Sequence, residues 1–203
     1  LKVLDQALFS PSALDEQRQM HLRTQLAQIT QGLTDGHLFQ LELRKSERVG
    51  PNALALPSGI IVLTDELVLL AEHRNEIIAV LAHEVGHIQH RHALRSLLQN
   101  SAMVLLIASV TGDVTSITAL SATLPTMLLE AQYSRAFETE ADQFALRYLQ
   151  QHNIPLTHFA DILTRMENYK GPQGQVPNYL ATHPATSQRV KMFQDKNSPD
   201  SGK

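Results

Sequence analysis

VLAHEVGHIQHRH, residues 80–92, gathers four of the chain's ten histidines on an otherwise largely apolar frame. Positions 83, 84 and 87 spell H-E-x-x-H. On a helix, four residues rise about 6 Å and turn only about 40° past a full circle. His83 and His87 therefore project from one face, and both can reach a metal at about 2.0–2.1 Å. Glu84 lies about 100° around from His83, beside such a metal rather than on it, where its natural work is general base toward an activated water. His90 lies about 10 Å along the axis from His83, too far to share one ion with it. His92 falls on the opposite side of a continuous helix, so both are expected to be surface or packing histidines.

Composition narrows the ligand types. The chain has 203 residues, 43% apolar and 18% charged, with a formal net charge of −3. That length suits one domain, 1–203, with a helical region at 1–34, a core at 35–195 and a frayed tail at 196–203. An acidic balance without a basic field excludes nucleic acid as a partner. There is no cysteine, so zinc would have to be held by imidazole and carboxylate. The chain starts at Leu1 without a methionine or a signal-like apolar run, as expected of a segment of a longer protein.

Hydropathy patterning outlines an α+β, mostly helical fold with a small β-sheet near the N-terminal third. A helix is expected after Ser10-Pro11, stopping at Gly32. "LFQLELRK" alternates Phe39, Leu41 and Leu43 with polar residues, as a strand does, and "NALALPSGIIVLT" reads as two short strands broken at Pro57-Ser58-Gly59. Helices are expected over 65–72, 75–98, 133–152, 156–169 and 185–194, with "GPQGQVPNY" as a loop. Two apolar pieces within 101–130 are interrupted by Gly112-Asp113 and Pro125. A membrane span needs about 20 apolar residues, so buried or surface-lying helices are expected there, with membrane-surface contact as the alternative.

A third ligand has to come from elsewhere, and "YSRAFETEADQFALRYL" offers carboxylates. Glu138 and Asp142 are i,i+4 and share a helical face, whereas Glu140 points about 160° away from Glu138. A carboxylate would complete a His2Glu zinc site and leave a position open for water. Asp142, one turn on, is placed to accept an N–H from a ligand histidine and fix its tautomer.

Four stretches, "NALALPSGIIVLTDELV", "LAHEVGHIQHRHALR", "YSRAFETEADQFA" and "THPATSQRV", occur in that order. Together they resemble the catalytic domain of the HtpX, BepA and CAAX prenyl protease family of zinc metallopeptidases, over about residues 35–195. The resemblance implies a zincin-like fold with the HExxH on an active-site helix. It implies one zinc ion held by His83, His87 and Glu138, with Glu84 as base and Asp142 supporting the site. It also implies an endopeptidase of the gluzincin type. Unfolded or misassembled proteins would be its substrates, in quality control at the bacterial cell envelope, periplasmic or anchored through a missing N-terminal region. The multi-span segments of the membrane branches are not evident and no tetratricopeptide tail follows, so the match is nearer to a soluble BepA-like domain. Prenylated substrates are not expected.

Asn52, Ala53, Leu54 and Ala55 fit an edge strand that receives the substrate backbone. His183 precedes Pro184 and so is expected on an extended loop ahead of the next helix. It suits either of two jobs: closing the zinc as a gating fourth ligand, which the resemblance favours, or donating to the oxyanion. Arg189, about two turns on, would anchor that loop or the substrate. Two other functional classes compete: a non-proteolytic, chaperone-like metal-binding module, and a membrane-embedded protease.

Overall fold

The computed structural model describes residues 5–6, 8–33, 38–99, 133–170, 178–184 and 187–195. The expectations for 101–130, for most of the loop ahead of Asn178 and for the tail at 196–203 lie outside them. Four strands form one mixed sheet in the order β1-β2-β4-β3: β1 (Ser10–Pro11), β2 (Gln40–Lys45), β3 (Ala53–Ala55) and β4 (Ile60–Thr64). β2 runs parallel to β4, and β1 and β3 pair antiparallel with their neighbours. The β3–β4 hairpin turns at Gly59, whose φ of +86 favours glycine; a Cβ there would also collide with Leu38 O.

Helices cover this sheet. They are α1 (Glu16–Thr30), α2 (Asp65–Leu70), α3 (Arg74–Gln89), α4 (Arg135–Gln151), α5 (Thr157–Asn168), α6 (Asn178–Thr182) and α7 (Ser187–Asp195). α1 starts where the Asp15 side chain caps Arg18 N, and α2 where Thr64 caps Leu67 N. α3 is the centre of the molecule, buried without a break from Glu76 to Ile88, because α1, α4, α5 and β3 all pack on it. A helix hidden on every side shows little amphipathic contrast, which is why its apolar residues run all the way round.

Two boundaries differ from expectation. The helix expected over 75–98 is two pieces: α3 ends at Gln89, Arg91 turns left-handed at φ 54, and residues 92–99 are helical again. The stretch expected to be loop through Tyr179 instead gives way to α6, and β1 adds a short edge strand.

Gly86 sets the spacing of the two helices that matter most. A Cβ on Gly86 would stand 2.9 Å from Ala141 Cα, so α3 and α4 touch backbone to backbone there. His83 and His87 flank that contact on α3, and Glu138 and Asp142 flank it on α4.

Candidate metal centre

Helical phase brings the chemistry to the α3–α4 seam. His83, Glu84, His87, Glu138 and Asp142 are all buried, as is His183 from beyond α6. His83 Nε2 and His87 Nε2 lie 3.0 Å apart. Glu138 Oε2 is 3.5 Å from His83 Nε2, and its Oε1 is 3.4 Å from His87 Nε2. His183 Nδ1 is 3.0 Å from Glu138 Oε1 and 3.4 Å from His83 Nε2. One donor atom from each of these four residues falls within 4.8 Å of the others, the geometry of a site for a single metal ion.

The donor set fits a cation. Three imidazoles and one carboxylate suit zinc in a chain without thiolates. Both Glu84 oxygens and His183 Nε2 are buried with no hydrogen-bond partner among the described residues. Each such atom costs about 1–3 kcal/mol, and a bound ion with its water answers that cost. Glu84 Oε1 lies 3.8 Å from His183 Nε2, so the carboxylate stands beside the cluster rather than in it.

The surroundings bias the charges. Burial opposes charge on His83, but the carboxylates of Asp142 and Glu138 outweigh it and raise its pKa to about 9. Burial instead dominates His87 and lowers it well below the ordinary value. Burial works against the Glu138 carboxylate too, yet His183, His83 and His87 hold it well below the usual carboxylate range. Asp142 Oδ1 stands 3.0 Å from His83 Nδ1, near enough to orient the ring although short of a straight hydrogen bond.

A model of peptidase family M48 matches residues 13–196. The chain belongs to peptidase family M48. M48 peptidases use zinc, and the buried cluster of His83, His87, Glu138 and His183 could hold one such ion. Among relatives, mitochondrial metalloendopeptidase OMA1 of Saccharomyces cerevisiae is 28% identical over 167 residues, 80% of this chain and 48% of that protein. The putative beta-barrel assembly-enhancing protease of Vibrio cholerae is 28% identical over 149 residues, 68% of this chain and 31% of that protein. Metalloprotease LoiP of Escherichia coli is 28% identical over 153 residues, 73% of this chain and 60% of that protein. The chain thus spans only 31% to 60% of the length of these three relatives.

Three positions in this M48 site differ from their sequence expectations. His183 is not on an unconstrained loop: its N–H donates to Tyr179 O at 2.7 Å, extending the last turn of α6, and its ring stacks on Tyr179. Arg189, left between loop and substrate, spends its guanidinium inside the protein. Nε and Nη2 hold Asp142, and Nη1 donates to Pro184 O at 3.0 Å and lies 2.7 Å from Glu138 Oε2. At 8% exposure it is buried, with its guanidinium against Asp142, Glu138 and the Pro184 carbonyl. His92 is fully buried against His87, not on the opposite side, because the left-handed Arg91 breaks the helix between them. His90, as expected, is partly exposed.

Sequence reasoning missed Tyr133 and Tyr179. The Tyr133 ring lies 4.3 Å from that of His87, and the buried Tyr179 hydroxyl has no partner among the described residues. No periodicity announced either tyrosine.

Proposed function

We propose that the chain is the catalytic domain of a zinc endopeptidase. One observation carries it: His83, His87 and Glu138 converge beside a buried, partnerless Glu84 carboxylate. Zinc held there supplies a Lewis acid that polarises a carbonyl and brings the pKa of water toward about 7. Glu84 takes the proton from the attacking water and delivers it to the leaving amine. Asp142 orients the His83 ring, and Arg189 holds Asp142 in place.

The substrate's path would run along β3, an edge strand of the described sheet; Ala53 and Ala55 are buried, so substrate entry has to uncover it. Thr64 N bonds Asn52 O and Leu56 N bonds Ile60 O, so by antiparallel alternation Ala53 and Ala55 turn their N–H and C=O away from β4. A cavity lined by Ala55, Pro57, His87 and Ile88 joins that strand to the cluster. A peptide added to β3 would lie across the zinc and be gripped by its backbone, with little sequence preference. The Asn52 amide oxygen, buried with no partner among the described residues, is a further acceptor there.

His183 is the gate: its Nδ1, among the cluster atoms, would hold zinc as a fourth ligand at rest and would give way to substrate. Unfolded or misassembled proteins are the substrates, at the bacterial cell envelope. The resemblance to proteases named for beta-barrel assembly supports that setting, while the mitochondrial OMA1 is the competing precedent. No helix of the described residues is long and apolar enough to cross a membrane.

Metal analysis paired with cleavage of casein, with and without chelator, tests the function. About one zinc per chain and chelator-sensitive cleavage are expected. Zinc without cleavage would return the chain to the non-proteolytic metal-binding class.

A further inference from the structure

His87 has two ring nitrogens, and the fold gives each a different neighbour. Nε2 faces the ligand cluster, whereas Nδ1 lies 2.9 Å from His92 Nδ1. The other nitrogen of His92, Nε2, lies 2.9 Å from Glu140 Oε2, which also accepts from Arg95 Nη1 at 2.9 Å. An ionised carboxylate only accepts, so His92 carries its proton on Nε2. Its Nδ1 is then a lone pair, and the proton in the 2.9 Å contact belongs to His87 Nδ1. That leaves the His87 Nε2 lone pair aimed into the cluster.

We propose that His92 and Glu140 are positioning residues that set the tautomer of His87 for metal binding. The inference rests on the zinc site described above. His83 meets its carboxylate, Asp142, directly; His87 reaches one only through a second imidazole. Glu140 and Asp142, two residues apart on opposite faces of α4, thus serve the two ligand histidines of α3.

The backbone is bent to make this contact. Five residues past His87 on a continuous helix, His92 would sit about 140° away. Arg91 instead takes φ 54, a conformation unfavourable to a side-chain-bearing residue, and the helix breaks between His87 and His92. Strain of this kind persists where the surroundings impose it. Here the His92 ring stacks on Phe137 at 4.4 Å and 7°, and Arg95 covers the same Phe137 ring at 4.3 Å.

Zinc affinity, measured on the whole chain by competition with a chromophoric chelator, reads the relay without turnover. His92→Phe keeps the ring and removes both nitrogens; a 10- to 100-fold loss is expected, the range for partners of metal ligands. Glu140→Leu, at a side chain 37% exposed, should fold and lose roughly 10-fold. The double variant should bind no more weakly than His92→Phe alone, because Glu140 acts through His92. His92→Gln, whose amide oxygen accepts from His87 Nδ1–H, should recover part of the loss. Wild-type affinity in Glu140→Leu, or fully additive losses in the double variant, would overturn the relay while leaving the zinc site intact. Should His92→Phe not fold, Glu140→Leu alone decides. A wild-type chain that takes up no zinc overturns the site and the relay together.

Discussion

Arg189 grips Asp142 through a two-pronged contact, Nε to Oδ2 at 2.7 Å and Nη2 to Oδ1 at 2.8 Å. The pair joins α7 to α4 behind the ligands, and both partners are buried. Arg189 Nη1 also holds Pro184 O, the carbonyl next to His183. One guanidinium therefore fixes the carboxylate behind His83 and the segment that presents His183.

Arg189→Ala should destabilise the fold by about 3–5 kcal/mol, because it strands a buried carboxylate. Arg189→Lys keeps the charge but loses the fork, so its loss should be smaller yet clear. Urea unfolding of the metal-free chain checks both. A lysine variant as stable as wild type would mean that the bidentate geometry contributes nothing.

Gly86→Ala should also destabilise, against the sign that helix propensity predicts. In an isolated helix the change gains about 1 kcal/mol. Here the new methyl meets Ala141 Cα at 2.9 Å and Ala141 O at 3.1 Å, backbone atoms that cannot swing aside. Overpacking of this kind costs about 1–3 kcal/mol. Separating α3 from α4 also moves Glu138 off the histidines, so zinc affinity should fall along with the melting temperature. A stabilised variant with undiminished zinc binding would show that the seam gives way easily.

The difference between what the sequence displayed and what it hid follows from the range of the interactions. The His83–His87 pair and the Glu138–Asp142 pair are local, since helical period alone puts each pair on one face. β3 and β4 were visible as apolar runs around a Pro-Ser-Gly turn. His92 was hidden because its position depends on one backbone angle at Arg91, and neither glycine nor asparagine marks the break. Arg189's partner lies 47 residues away, and such pairing is written in packing rather than in any pattern. Tyr133 meets His87 across 46 residues for the same reason.

Glu84→Gln should keep zinc and lose hydrolysis. The amide is nearly isosteric but takes no proton, and general-base loss is worth about 10²–10⁴ in rate. Zinc content and casein cleavage measured on the same preparation check it. A fully active variant with zinc in place would end Glu84's role as the base.

His183→Ala separates the gate from the oxyanion donor, because the two roles differ in sign. At rest His183 Nδ1 sits among the ligand atoms, 3.0 Å from Glu138 Oε1 and 3.4 Å from His83 Nε2. A nitrogen placed there competes with water and substrate for the open position. Removing it should therefore raise the rate of casein cleavage while zinc is held less tightly. An oxyanion donor acts only in the transition state, so its loss would lower the rate by about 10²–10³ and leave zinc affinity alone. The contact with Tyr179 sharpens the test. The His183 ring stacks on Tyr179 at 4.5 Å, and its N–H is tied to the Tyr179 carbonyl. Tyr179→Ala removes the stacking and leaves that backbone bond, which loosens the ring without deleting its nitrogens. A gate loosened in this way should open more readily, so cleavage by Tyr179→Ala should rise toward the His183→Ala level. A mispositioned oxyanion donor should instead slow both variants. Cleavage and zinc affinity unchanged in His183→Ala would remove His183 from the working site altogether.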